Sequence, residues 1–191
     1  IEDRADEIAD YLGNSYLMTT TKHKPVGACL SIQAPCQLAE QFALADGLLA
    51  EDVDEILVEV PERLTKLPWY GKNEGLDNAN YAIMSIPFGM ASTICAGGMA
   101  GIRWMPPYAQ EVTDLMHNVH LVFSDYAKEH LGTTGFRATV RKTDGSTLVR
   151  EQFGFDPLNA DQVQQLFSYT AERRLGREKE EKAIDLILTL E

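Results

Sequence analysis

The residues best suited to chemistry in this 191-residue chain lie in one stretch, Thr21-Lys-His-Lys-Pro-Val-Gly-Ala-Cys-Leu-Ser-Ile-Gln-Ala-Pro35. Lys22, His23 and Lys24 form a basic cluster in a chain of formal net charge −12 with 29 acidic residues, so the cluster is local and implies an anionic partner of its own. Pro35 suits the first turn of a following helix, whose free N–H groups and positive dipole end would add to the same anion site. A solvated surface loop is the competing reading of three basic residues in a row.

The elements that must position this loop follow from periodicity. From Ala34 to Leu49, the positions Leu38, Ala39, Phe42, Ala43, Leu48 and Leu49 recur at helical spacing, with Gly47 near the end. Residues 54–60 alternate with β-branched side chains and stop at Pro61, which predicts a strand. Asn80 to Gly97 reads as a helix that Pro87 either kinks or opens. Its small residues Ser85, Gly89, Ser92 and Ala96 predict close approach of another helix or of a ligand.

Residues 109–118 have helical period and lead into a strand over 119–123. Asp144-Gly145 joins two strands, 135–141 and 146–150, as a hairpin, because Asp-Gly tolerates the positive backbone angles of a tight turn. Asn159 or Asp161 caps a helix running to about Leu175, and Gly176 separates it from another over 177–190 whose Ala183, Leu186, Ile187 and Leu190 are expected to face the core. A further helix is expected at the start, with Ile1, Ala5, Ile8, Ala9 and Leu12 on one face. The order predicts an α+β fold over residues 1–191, a small antiparallel sheet covered by helices.

Composition narrows the function classes. A hydrophobic content of 45% with 24% charged residues suits a well-filled core. A pI near 4.7 argues against broad contact with nucleic acid or an anionic membrane, both of which need a basic face. Cys29, Cys36 and Cys95 form no CxxC pair and make an odd count, which predicts a reducing, cytoplasmic setting without a disulfide framework or zinc site. His117, His120 and His130 are too scattered to predict a metal site. The apolar run from Ala82 to Gly98 is too broken by Ser85, Pro87, Ser92 and glycines to predict a membrane span. A first residue of isoleucine suggests a portion of something larger.

Three segments, in order, resemble the smaller C-terminal domain of the MmgE/PrpD family, which includes 2-methylcitrate dehydratase and cis-aconitate decarboxylase. The first is Lys24-Pro-Val-Gly-Ala-Cys29 with Gln33-Ala34, similar to the family loop in which a lysine precedes a cysteine and then a histidine at the head of a helix. The second is Ala82-Ile-Met-Ser-Ile-Pro-Phe-Gly-Met-Ala91, similar to the family's Ser-Leu-Pro-Tyr helix start. The third is the closing hairpin, Gly154-Phe-Asp-Pro157 and two helices. Gln33 stands where the family usually has histidine, Phe88 where it has tyrosine, and Leu166-Phe167 where it has a Lys-Phe pair.

The resemblance implies a cofactor-independent lyase, of dehydratase or decarboxylase type, acting on a small polycarboxylate. It also implies a second wall to the active site, a larger helical domain that this chain lacks and that a partner subunit in a homo- or hetero-oligomer would have to supply. Such chemistry needs a base for a carbon-bound proton, an acid for the departing hydroxyl and cations for the carboxylates. Lys24 can supply a cation, assisted by Lys22 or His23, while Cys29, Ser31, Gln33 and Ser85 can supply hydrogen bonds. Gln33 and Phe88 lack the proton-transfer groups of the residues they replace, and Tyr81, near the same helix start, could restore a hydroxyl. Lys24, Gln33 and Tyr81 are therefore the candidate catalytic residues, and Lys22, His23, Cys29, Ser31, Ser85 and Phe88 the candidate substrate contacts, with no metal or organic cofactor. Isomerisation or cyclisation of another small molecule, or a noncatalytic assembly role, remain alternatives.

Overall fold

The computed structural model describes residues 16–190. The helix expected over residues 1–12 lies outside them. Four strands form a mixed sheet: β1 (Val53–Glu59), β2 (Val119–Val122), β3 (Gly135–Lys142) and β4 (Thr147–Phe153), in the spatial order β2-β1-β3-β4. β1–β3 and β3–β4 are antiparallel, and β1–β2 is parallel. The parallel pairing follows from the long helical passage between these two strands, because only a crossover can return the chain in the same direction.

Alternation sorts the sheet into two faces. Val53, Ile56 and Val58 of β1 and Phe136, Ala138 and Val140 of β3 are buried under the helices. A register shift between Val53 and Glu55 keeps both Val53 and Ile56 on the core side. The opposite face carries cross-strand ion pairs, Arg137 with Glu59 at 3.0 Å and Arg141 with Glu55 at 2.7 Å. At its end, Tyr126 donates to Glu151 and Ser124 to Glu59.

The helices are α1 (Leu30–Ala45), the single turns α2 (Glu62–Thr65) and α3 (Ala79–Ala82), then α4 (Ile86–Ala96), α5 (Gln110–His117), α6 (Ala160–Leu175) and α7 (Arg177–Leu188). The main core is a sandwich of α1 and α4 against the sheet, filled by Ile32, Leu38, Phe42, Ile86, Phe88 and Met90. The two helices cross at Gly89. A Cβ there would come within 2.8 Å of Ile32 Cγ2 and 2.9 Å of Cys36 Sγ, so the small side chain is what lets them touch. Full burial pushes the Cys36 thiol up to about 12, so Cys36 is a neutral packing residue.

Three expectations are corrected. α1 begins at Leu30, not Ala34, and Pro35 lies inside it. The run over 80–97 is two helices, because the chain breaks at Ile83–Ser85 and α4 starts afresh with Pro87 in its first turn. Leu186, Ile187 and Leu190 do not face the core. They are 57%, 54% and 78% exposed, since α7 packs on α6 and not on the sheet. Among the described residues no helix is long and apolar enough to cross a membrane.

Candidate functional site

The loop before α1 is held from inside by one amide. Gln33 is fully buried on the first turns of α1 and folds back over the loop. Its Oε1 accepts from Val26 N–H at 3.0 Å, and its Nε2 donates to the carbonyls of Val26 at 3.1 Å, Ala28 at 3.1 Å and Cys29 at 3.2 Å. An amide suits this position because it alone among neutral side chains offers a carbonyl and an NH2 group together. Both ends of the amide are engaged inside the loop, so the residue's observed work is to shape the backbone that displays Lys24 and Cys29.

The basic residues on that loop are all exposed and have three different partners. Lys22 Nζ lies 5.9 Å from the centre of the Phe155 ring. His23 bridges to Leu158, whose N–H donates to the His23 carbonyl at 3.0 Å, and its side chain borders a groove of about 520 Å³ with Val163 and Phe167 of α6 and Ile187 of α7. Lys24 Nζ donates to the Ala28 carbonyl at 2.8 Å, which curls it back over the loop toward Cys29. Among the described residues none of the three lysine or histidine side chains forms an ion pair with an acid.

The loop meets the start of α4 directly. Cys29, the residue before α1, donates its N–H to the Ile83 carbonyl at 2.9 Å. Two residues on, Ser85 caps α4: its hydroxyl accepts from Phe88 N–H at 3.0 Å and donates to the Lys72 carbonyl at 2.6 Å. Tyr70 closes the group, accepting from Ile86 N–H at 2.9 Å through its carbonyl and bringing its hydroxyl to 3.6 Å from Cys29 Sγ. Two helices of eight residues or more therefore begin side by side at one junction, with Cys29, Tyr70 and Lys72 around it.

The remaining candidates fall unequally. Ser31 is half-buried in the first turn of α1. Tyr81, on α3, is 44% exposed, with Lys72 Nζ 5.0 Å from the centre of its ring. Phe88 is buried against Tyr108 and Trp104, with ring centres 4.6 and 5.7 Å away, and borders a cavity of about 200 Å³ with Ser92, Cys95 and Tyr108. Cys95, on that cavity, is pushed up to about 11 chiefly by burial, leaving it a neutral thiol.

Tyr70 and Lys72 are the two junction residues that sequence reasoning missed. Both lie in the irregular stretch between Pro68 and Gly75, which has no period to assign a face. The Pro and Gly residues mark it as a loop, but only tertiary hydrogen bonds bring it to the head of α4. The sequence matches none of the known protein-family models, and no curated protein matches it.

Proposed function

We propose that this chain forms one wall of a cofactor-independent lyase site for a small polycarboxylate, in the cytoplasm, with the opposite wall supplied by a helical partner of MmgE/PrpD type. The observation that carries this reading is the junction itself. The two segments whose sequences separately resemble that family's active-site loop and helix start, more than fifty residues apart, are joined by the Cys29–Ile83 hydrogen bond. Lys24, free of any acid partner among the described residues, then serves as a carboxylate anchor. Tyr81 is the exposed hydroxyl nearest the start of α4 in sequence, and it is the candidate proton donor on this wall.

Gln33 and Phe88 do not transfer protons in this reading. Gln33 sets the loop, Phe88 fills the core beside Trp104, and the base comes from the partner wall. A noncatalytic assembly role is the second reading, favoured by the same two observations. The deciding experiment mixes the purified chain with and without a helical partner and follows unsaturated product from 2-methylcitrate or citrate. Product only in the mixture, with carboxylate affinity reduced several-fold in Lys24→Ala, is the expected result. No product in either sample, with unchanged binding in Lys24→Ala, favours the assembly role.

A further inference from the structure

We propose that the free edge of β4 is a self-association surface, on which a second copy of this chain pairs antiparallel and joins the two sheets into one. β4 lies at the end of the order β2-β1-β3-β4, and its pairing with β3 fixes which backbone groups remain unused. Lys142 N–H donates to the Ser146 carbonyl at 2.8 Å at one end of the pair, and Gly154 N–H to the Thr134 carbonyl at 2.9 Å at the other. Antiparallel pairs alternate between bonded and non-bonded residues, so Leu148, Arg150 and Gln152 spend their N–H and C=O groups on β3. Thr147, Val149, Glu151 and Phe153 point theirs the other way. Among the described residues nothing bonds to the backbone at those four positions.

Sheets usually protect such an edge with proline, lysine, a bulge or a covering segment. β4 runs seven residues without proline or lysine, in unbroken register with β3 from 147 to 153. Its two charges are held by their own chain: Arg150 donates to Asp46 at 2.7 and 2.8 Å, and Glu151 accepts from Tyr126 and lies 3.6 Å from Arg137. Val149 and Phe153 are 48% and 59% exposed beside the unused groups. The opposite edge differs. β2 has four residues, and the loop before α3 packs on it, where a Cβ on Gly71 would touch Leu121 at 3.9 Å.

The occupant follows from the strand's own sequence. The unused groups lie at odd positions in both copies, so only registers that set odd positions opposite odd positions satisfy the seam. Centring it on Arg150 or Glu151 sets like charges face to face, which is unfavourable. Centring it on Val149 sets Val149 against its own copy, Thr147 against Glu151 and Leu148 against Arg150, with no like charges opposed. The twofold axis through Val149 uses up both edges, so assembly stops at a dimer. The seam uses none of the residues at the junction of α1 and α4, and it stands apart from the carboxylate reading.

The test is sedimentation equilibrium of the full chain, with circular dichroism to check the fold of each variant. The unaltered chain is expected to sediment at twice its 21.3 kDa, and Val149→Pro as a monomer. Proline removes an N–H that bonds nothing within the chain, so an edge strand tolerates it. Val149→Lys keeps the backbone intact, sets a charge against its own copy and should also be monomeric. Val149→Cys should form a disulfide-linked dimer on mild oxidation, because the facing Cα atoms lie about 5.5 Å apart. Thr147→Cys should not, since its own copy is displaced along the seam by roughly 14 Å. The unaltered chain, with Cys29, Cys36 and Cys95 free, is the control for that oxidation. A monomeric unaltered chain overturns the inference. So does a dimer that persists in folded Val149→Pro and Val149→Lys, because the copies then meet elsewhere. Cross-linking of Thr147→Cys as fast as Val149→Cys overturns the pairing centred on Val149.

Discussion

Gln33 concentrates the loop's stability in one side chain. Its two amide N–H donors serve three carbonyls and its oxygen serves one N–H, all in a fully buried position. Replacing it by alanine leaves the Val26 N–H and those carbonyls without that partner, and unsatisfied buried groups cost ~1–3 kcal/mol each. Gln33→Ala is therefore expected to lower unfolding stability by roughly 3 kcal/mol in urea titrations followed by circular dichroism. A loss well under that would mean that water replaces the amide and that the loop shape does not depend on it. Gln33→Glu separates donor from acceptor. Its carboxylate cannot donate to the three carbonyls, so burial and their dipoles raise its folded pKa above the ordinary glutamate value. Such a group loses stability as pH rises through that folded pKa, so the deficit against the unaltered protein must be larger at pH 8 than at pH 5. An equal deficit at both would show that the carboxylate has escaped to solvent.

At the level of elements, the head of the site depends on how closely α1 and α4 approach. Gly89 sits at their crossing, where a methyl group would stand 2.8 Å from Ile32 Cγ2 and 2.9 Å from Cys36 Sγ. In an isolated helix Gly→Ala stabilises by about 1 kcal/mol. Here overpacking of ~1–3 kcal/mol opposes that gain, and both contacted atoms are themselves fully buried, so the helices must shift. Gly89→Ala should lower the melting temperature, and a rise would mean that the crossing has slack. The small-residue stripe that predicted this contact was legible because glycine on an apolar helix has few other uses, although Ala96 at its end proves exposed. The strand ends at Pro61 and the turn at Asp144-Gly145 were legible for similar local reasons. The start of α1 was not. Its first residue follows Cys29, whose side chain makes no cap hydrogen bond, and the loop is stabilised from within the helix by Gln33. Pro35, a residue that normally marks a first turn, pointed to the wrong place.

For the molecule as a whole, stability is unevenly distributed, and the site lies on the well-packed side. α1, α4, β1 and β3 share one core in which Ile32, Leu38, Phe42, Ile56, Val58 and Met90 are sealed from water. In α6 and α7 the buried residues are Ala171 and Glu180, at 9% and 6% exposed, while Leu186, Ile187 and Leu188, and Leu190 just past the end of α7, remain more than half exposed. Apolar burial contributes roughly 25 cal/mol per Å², so a helix pair that hides so little of its apolar surface adds little to the barrier against its own opening. The exposed face was invisible to periodicity, which reports that Leu186, Ile187 and Leu190 share a side but not whether anything covers it. Local opening free energies should follow this division. Native-state hydrogen exchange is expected to show backbone amides of α7 exchanging far faster than those of α4 and β3, which should open only with global unfolding. The junction amides of Cys29 and Ile86, hydrogen-bonded to Ile83 and Tyr70, belong with the slow group if the site is a pre-formed part of the core. Exchange of these two amides at the rate of α7 would mean that the two helix starts separate readily, and a pre-organised carboxylate site could not be built on them.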